Sequence, residues 1–244
     1  MPEPGKHPSR RVYWVCSGII AVLFVATRLW SFLSFGDSIF ARQVFLDSAA
    51  YFDLAKLVAE GTWQQDTAFY LGPGWAYLLG ILYNLAGVSI TAGRVLNMIL
   101  SAGTLACVLF AGKRIGGGWV SLACGLLWAL YRPAVAFEQT LLMESASATT
   151  VAGLLALWAL LAHPRAEEEP RLIERRPWLA LFPGLALGLS ALFRANVLIL
   201  APVFLAGFVW ILWRGRDAWK RPLLAAGCFL AALALPIFLT TIHN

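Results

Sequence analysis

The chain has 244 residues, of which 60% are hydrophobic and 13% are charged. Soluble globular proteins carry about 25% charged residues, so this composition excludes that class. The net charge of +6 does not indicate a nucleic-acid partner, because the basic residues lie between apolar runs and form no basic face with interleaved aromatic residues. Those runs are long enough to cross a bilayer, which takes about 20 residues per helix, and they predict an all-α polytopic membrane protein.

Residues 1–11 form a short, basic tail that contains proline. The apolar run 12–35 that follows is too long for a signal peptide and lacks a small-residue cleavage site, so it predicts a retained first span. Arg28 lies near the far end of this run, where we expect its side chain to extend to the membrane interface. The four cysteines lie inside apolar runs and predict small packed side chains, since no spacing typical of a metal site occurs.

Residues 44–75 are the longest passage that is neither a span nor a charged tail. Within it, residues 48–60 predict an amphipathic helix at the membrane surface, with Asp47 or Ser48 as the N-cap and Gly61 after its end. The predicted apolar face consists of Tyr51, Leu54, Leu57 and Val58. The predicted polar face consists of Asp53, Lys56 and Glu60, which are spaced to form ion pairs.

A second short element is predicted from Gly72 to Gly87, and we expect it to be interfacial or re-entrant because it has too few residues to span. Further apolar runs cover residues 93–112, 119–131, 141–162, 178–213 and 223–242. As one helix, residues 178–213 would extend about 54 Å, well beyond a hydrocarbon core of about 30 Å. We therefore expect a helical hairpin that turns at residues 194–196, which brings the count to about seven transmembrane helices.

The basic residues orient these spans. With a cytoplasmic N-terminus, thirteen of the 19 lysines and arginines fall on the cytoplasmic side, as the positive-inside rule requires. Residues 1–11 are then a cytoplasmic tail, and residues 12–244 a single transmembrane domain whose first outer loop covers about residues 36–92. The amphipathic helix lies in this extracytoplasmic loop. We expect an integral membrane protein of the bacterial inner membrane.

This topology gathers polar side chains of distant segments on the outer face. They include Asp47, Tyr51, Arg94, Arg132, Glu138, Glu144, Arg194 and His243. Carboxylates and cations near a membrane surface suit a phosphate-bearing amphiphile. The cations would stabilise a phosphate leaving group, while a carboxylate could accept a proton from an attacking hydroxyl.

Several motifs occur in a particular order along the chain. They are Arg28-Leu29, then Asp47, Tyr51 and Ala55 with Gly61 downstream, then Gly-Pro-Gly-Trp-Ala-Tyr-Leu-Leu from residue 72, Arg94-Val95-Leu96, Arg132-Pro133, Glu144, and Gly188-Leu189-Ser190 with Arg194. In this order the chain resembles the C-type membrane glycosyltransferases of glycosyltransferase family 39, the branch of the protein O-mannosyltransferases and the aminoarabinose transferases. The resemblance covers nearly the whole chain.

The resemblance implies an inverting transfer of a sugar from a polyprenyl-phosphate donor to an acceptor hydroxyl outside the cytoplasm. Asp47 matches the first-loop aspartate that serves as the general base of the family, and Glu144 falls near a second acid, with Glu138 as a competing candidate. Arg94, Arg132 and Arg194 would hold the donor phosphate, and Tyr51 and His243 would line the substrate site. The acceptor could be a lipid, a glycan or a protein, and membrane lipids are the other partners.

Members of the family are about twice as long, so the chain is expected to correspond to their N-terminal half. A divalent metal remains possible as a cofactor, although no compact ligand set is visible in the sequence. The alternatives are a transporter, a non-catalytic membrane scaffold or an inactive fragment of such an enzyme. A transporter should show internal repeats and polar residues at the middle of its spans, and neither feature is found.

Overall fold

The computed structural model describes residues 8–36, 38, 43–62, 71–164, 169–213 and 219–243, with residue 243 described by its backbone alone. The other residues of the predicted cytoplasmic tail and parts of the predicted outer loop lie outside these ranges. The elements in the described ranges are all helices. They are α1 (Arg10–Gly36), α2 (Asp47–Ala59), α3 (Pro73–Ala86), α4 (Ile90–Leu130), α5 (Arg132–Glu138), α6 (Glu144–Ala162), α7 (Leu172–Arg175), α8 (Leu181–Phe193), α9 (Ala201–Leu212) and α10 (Lys220–His243), with 3₁₀ turns at Pro177–Ala180 and Ala195–Leu200.

Five helices in the described part of the chain are long and apolar enough to cross a membrane. They are Arg10–Gly36, Ile90–Leu130, Glu144–Ala162, Ala195–Leu212 and Lys220–Ile242. A shorter apolar helix covers Pro177–Phe193. The prediction of an all-α membrane protein is confirmed at this level, while the count of seven spans stays a prediction.

Helix α4 reverses direction at Gly117. A straight helix of its 41 residues would extend about 62 Å, but Gly117 has φ +84° and interrupts it. The two arms run antiparallel, because Ser121 Oγ donates to the Leu109 carbonyl at 2.6 Å and Trp128 Nε1 donates to the Ser101 carbonyl at 3.1 Å. Helix α4 is therefore a helical hairpin, and its arms coincide with the predicted apolar runs 93–112 and 119–131.

The chain divides into two compact units, one of residues 1–64 and 74–149 and the other of residues 65–73 and 150–244. In the first unit, α1 packs against the α4 hairpin through a core of Tyr13, Ile20, Phe24, Leu105, Leu122 and Ala129. Helices α2 and α3 form a second packed pair in this unit, in which Phe52 meets Tyr83 edge to face at 5.8 Å. The buried Trp75 links α3 to the segment between α5 and α6, because its Nε1 donates to the Leu141 carbonyl at 2.9 Å.

Helix α2 agrees with its prediction in part. The predicted pair of Lys56 and Asp53 forms at 2.9 Å. Gly61 ends the helix with φ +72°, and Thr62 N donates back to the Leu57 carbonyl at 3.0 Å, as in a Schellman cap. The predicted N-cap is wrong, because Leu46 occupies that position and no side chain caps the helix.

The buried face of α2 is also rotated from the predicted one. Ser48, Tyr51 and Ala55 are buried, whereas Leu57 is 41% exposed. The reason is the approach of α3, whose Gly80 lies against the Ala55 carbonyl and the Val58 side chain. A glycine there lets the two helices come close along the line of Ala55.

In the second unit, α8 packs closely on α10. A Cβ on Gly184 would overlap the Phe229 carbonyl, and one on Gly188 would overlap the Leu233 carbonyl. The helix breaks at Arg194, as predicted, with an extended backbone of φ −143° and ψ 112°. The end of the helix after the break returns to the start of the helix before it, because Leu212 lines one cavity with residues 174 and 175. Pro177–Phe193 and Ala195–Leu212 are therefore the two arms of a hairpin.

Candidate functional site

A cavity of about 280 Å³ in the first unit contains two of the predicted site residues, Asp47 and Arg94. Its wall is formed by the end of α1, the segment that leads into α2, the start of α4 and the segment between α5 and α6. The lining residues are Phe35, Gln43, Val44, Phe45, Leu46, Asp47, Ser48, Arg94, Gln139, Thr140, Leu141 and Leu142. Four segments that are far apart in sequence thus place a carboxylate and a guanidinium around one space.

Asp47 is the exposed first residue of α2. The first turn of a helix favours a carboxylate, since the unpaired N–H groups there carry partial positive charge. The residue before it, Leu46, has φ +51°, a left-handed conformation that a leucine rarely adopts. Backbone strain of this kind costs of order 1–3 kcal/mol and is concentrated at functional sites. Here it turns the chain so that α2 begins with Asp47 at the cavity.

Arg94 provides a fixed positive charge in the cavity wall. Its side chain is 6% exposed, its Nε donates to the Gln139 carbonyl at 2.8 Å, and its guanidinium lies 5.0 Å from the ring centre of Phe35. A guanidinium keeps its proton at any physiological pH and binds phosphate or carboxylate groups through several N–H donors. The bond to the backbone of residue 139 holds it beside the segment that closes the cavity.

Gln139 is a cavity residue that sequence reasoning missed. It is 2% exposed, and neither polar atom of its carboxamide has a hydrogen-bond partner among the described residues. Leaving a buried polar group unpaired costs about 1–3 kcal/mol. The available signal was its place in the polar run of residues 138–140 between two helices, a pattern that also marks ordinary connections.

The predicted site residue Glu138 forms a buried ion pair with Arg28, at 3.2 Å from Nη2 to Oε1. Arg28 also donates to the carbonyls of Ala129 and Trp128, which end α4, and lies over the ring of Phe24 at 4.0 Å. The expectation that Arg28 reaches the membrane interface is therefore wrong. Its guanidinium is buried because it donates hydrogen bonds both to the last carbonyls of α4 and to the Glu138 carboxylate.

Tyr51 and Glu144 lie in the first unit, and neither belongs to the lining of the cavity in the part of the chain that is described. Tyr51 is fully buried, and its hydroxyl donates to Met143 Sδ at 3.2 Å. Glu144 is half-buried at the first residue of α6. Tyr51 thus connects α2 to the residue just before Glu144 without lining the cavity.

The remaining predicted residues do not belong to the described lining of the cavity. Arg132 is exposed at the start of α5. Arg194 is exposed at the helix break of the second unit. His243 belongs to α10, and its side chain lies outside the described part of the structure. Asp47 and Arg94 are therefore the predicted pair that the structure brings together.

Over the described ranges, no group of three His, Cys, Asp or Glu side chains could hold a metal ion. No protein-family model matches the chain, and neither does any curated protein or solved structure. The geometry of the cavity is thus the basis for assigning a function. It offers a carboxylate, a cation and an uncharged amide around a space that is open to solvent at Asp47.

Proposed function

We propose that this protein is a C-type membrane glycosyltransferase that transfers a sugar from a polyprenyl-phosphate donor to an acceptor hydroxyl, with inversion at the sugar. The observation that carries the proposal is the shared cavity of Asp47 and Arg94. These residues are 47 positions apart in the chain, and each matches a motif of the family. A carboxylate and a guanidinium in one cavity are the two groups that such a reaction needs.

In the proposed reaction, the acceptor oxygen attacks the anomeric carbon on the face opposite the phosphate, and the bond from that carbon to the phosphate oxygen breaks. Asp47 accepts the proton of the hydroxyl. The bonding electron pair leaves with the polyprenyl phosphate, and Arg94 stabilises the negative charge that develops there. The products are a glycoside and polyprenyl phosphate. The carboxamide of Gln139 is available for a sugar hydroxyl after a rotation of the side chain.

The proposal includes a seven-span topology. The spans are α1, the two arms of α4, α6, Pro177–Phe193, Ala195–Leu212 and α10. With the N-terminus in the cytoplasm, the Phe35 end of α1 and the cavity beside it lie on the extracytoplasmic side of a bacterial inner membrane. A lipid-linked donor would then reach the cavity from the outer leaflet, which agrees with the expected transfer outside the cytoplasm.

The direct test is sugar transfer by membranes that contain the full chain, with a panel of polyprenyl-phosphate hexoses as donors. Asp47→Asn should lower the transfer rate by about 100-fold or more, because a positioned general base contributes about 10²–10⁴-fold. Asp53→Asn is the matched control, since Asp53 is an exposed acid of the same helix that pairs with Lys56 outside the cavity.

Asp53→Asn should keep transfer within about twofold of the parent protein, as expected for an exposed ion pair. Equal transfer by Asp47→Asn and the parent would remove Asp47 as the base. Absence of transfer by the parent with every donor of the panel would reject the proposed reaction.

A further inference from the structure

A second cavity of the first unit lies at the other end of α1. It has a volume of about 490 Å³ and is lined by Pro8, Arg10, Tyr13, Trp14, Lys113, Gly117 and Gly118. Arg10 of this cavity and Phe35 of the first cavity are 25 residues apart along α1, which corresponds to about 38 Å of helix. The two cavities are therefore at opposite ends of α1, and the proposed transfer reaction does not use the second one.

The lining of this second cavity is positively charged. Arg10 and Lys113 both belong to it, and none of its described lining residues is acidic. Lys113 Nζ lies 4.1 Å from the ring centre of Tyr13 and 5.7 Å from that of Trp14. The two rings hold the ammonium group at the cavity without neutralising its charge. The cavity is thus electrostatically suited to an anion.

Its wall is built by specific packing at the turn of the α4 hairpin. The hydroxyl of Tyr13 is hydrogen-bonded to Ser121 Oγ at 3.0 Å, which fixes the ring that faces Lys113. A Cβ on Gly118 would lie 2.6 Å from the ring of Pro8, so a glycine is needed for this close approach. The wall is therefore ordered before any ligand arrives, which lowers the entropic cost of binding.

The position of the cavity and the apolar surface beside it favour a lipid headgroup over a free anion. Arg10 begins the first candidate span, so the cavity lies at the depth of lipid headgroups. From there an exposed apolar surface continues along α1, with Trp14 62%, Val15 56% and Ile19 55% exposed. A free phosphate would leave this surface unused, whereas the acyl chains of a lipid would cover it.

We propose that this cavity binds the phosphate headgroup of an anionic phospholipid, with Arg10 and Lys113 as its cationic ligands and the acyl chains along the exposed face of α1. Basic clusters beside spans attract anionic lipids electrostatically near the membrane surface. Such a lipid would hold the start of α1 against the hairpin turn of α4 and stabilise the first unit.

The test is the thermal stability of the full chain, purified in an uncharged detergent, during titration with phosphatidylglycerol, phosphatidylcholine or inorganic phosphate. The variants are the parent, the double variant Arg10→Gln/Lys113→Gln and the control Arg176→Gln. Arg176 is an exposed cation between α7 and the 3₁₀ turn that follows it, outside the lining of this cavity, so the control also removes a surface charge.

Phosphatidylglycerol should raise the melting temperature of the parent and of Arg176→Gln more than phosphatidylcholine does. In the double variant its half-saturating concentration should rise by about tenfold or more. The proposal is overturned if the double variant responds like the parent, or if phosphatidylcholine is equally effective. It is also overturned if inorganic phosphate reproduces the shift at the same concentration, since the ligand is then a free anion.

A second measurement covers the case in which the double variant does not fold. Native mass spectrometry of the parent in an equimolar mixture of the two lipids should show phosphatidylglycerol retained preferentially. Lys113→Arg keeps the charge and should retain the same preference. Equal retention of both lipids by the parent would reject the site.

Discussion

At the scale of single residues, Gln139 is a side chain whose burial lowers stability and whose polar atoms could bind a ligand. Its two unpaired carboxamide atoms are buried beside Asp47 and Arg94, where an apolar side chain of similar size would avoid the cost of burying them. A buried polar group that stabilises nothing in the ligand-free protein is explained if it pairs with a bound molecule. A sugar hydroxyl both donates and accepts hydrogen bonds and could pair with both atoms.

We expect Gln139→Leu to raise the melting temperature or leave it unchanged, because it removes two unpaired polar atoms at nearly constant volume. The same variant should lower kcat/KM for sugar transfer by about tenfold or more, mainly through KM for the donor. Thermal unfolding and steady-state kinetics of the same preparation measure both effects. A variant that is more stable and fully active would show that the amide has no part in ligand binding.

The sequence predicted the chemical types of the site better than their arrangement. Asp47 and Arg94 were selected as an acid and a cation on one side of the membrane, and they share a cavity. Glu138 was selected on the same grounds, yet it pairs with Arg28, which was expected at the membrane interface and instead binds the last carbonyls of a helix. Their pairing depends on a contact across 110 positions of the chain, which local charge patterns do not contain.

At the scale of elements, the ends of helices were predicted where a glycine produces them. Gly61, Gly87 and Gly117 all adopt positive φ, a conformation that glycine reaches without steric cost. Gly61 and Gly87 lie at predicted helix ends, and Gly117 lies between the predicted runs 93–112 and 119–131. The start of α2 was predicted less well, since its N-cap is a strained leucine in place of an Asp or Ser side chain. Such strain depends on how the whole cavity wall packs, and no propensity scale records it.

The packing of α8 on α10 rests on Gly184 and Gly188, which are four residues apart and touch the backbone of α10. Small residues at this spacing let membrane helices approach closely. We expect Gly188→Ala to destabilise the protein by about 1–3 kcal/mol, because the new methyl group would meet the Leu233 carbonyl oxygen. Thermal unfolding in detergent measures this loss.

Gly227→Ala provides the matched control for that experiment. Gly227 belongs to α10 itself, and a Cβ there would meet no atom within 4 Å. Replacing a helical glycine by alanine in open space should stabilise the helix by about 1 kcal/mol. Opposite signs are therefore expected for the two substitutions. Equal effects of both would show that the glycine contacts between α8 and α10 do not stabilise the second unit.

At the scale of the whole molecule, composition and apolar runs determined the class of the protein. Five helices of the described chain are long enough to span. Seven spans were expected, and the numbers differ because α4 contains two of the predicted runs and because Pro177–Phe193 is shorter than the five candidates. The reversals at Gly117 and Arg194 have different signals. Gly117 lies in a run of three glycines after Lys113 and Arg114, while Arg194 interrupts an apolar run that is too long for one span.

The sidedness of two exposed residues distinguishes a hairpin at α4 from a single span. One span precedes Glu60; four precede Arg176 if α4 crosses twice, and three if it crosses once. In a variant without the four native cysteines, Glu60→Cys should react with a membrane-impermeant maleimide in intact cells, and Arg176→Cys only after permeabilisation. Val22→Cys on the 68% exposed apolar face of α1 should stay unlabelled in both cases. Labelling of Glu60→Cys and Arg176→Cys from the same side would mean that α4 crosses once, and the seven-span topology would be wrong.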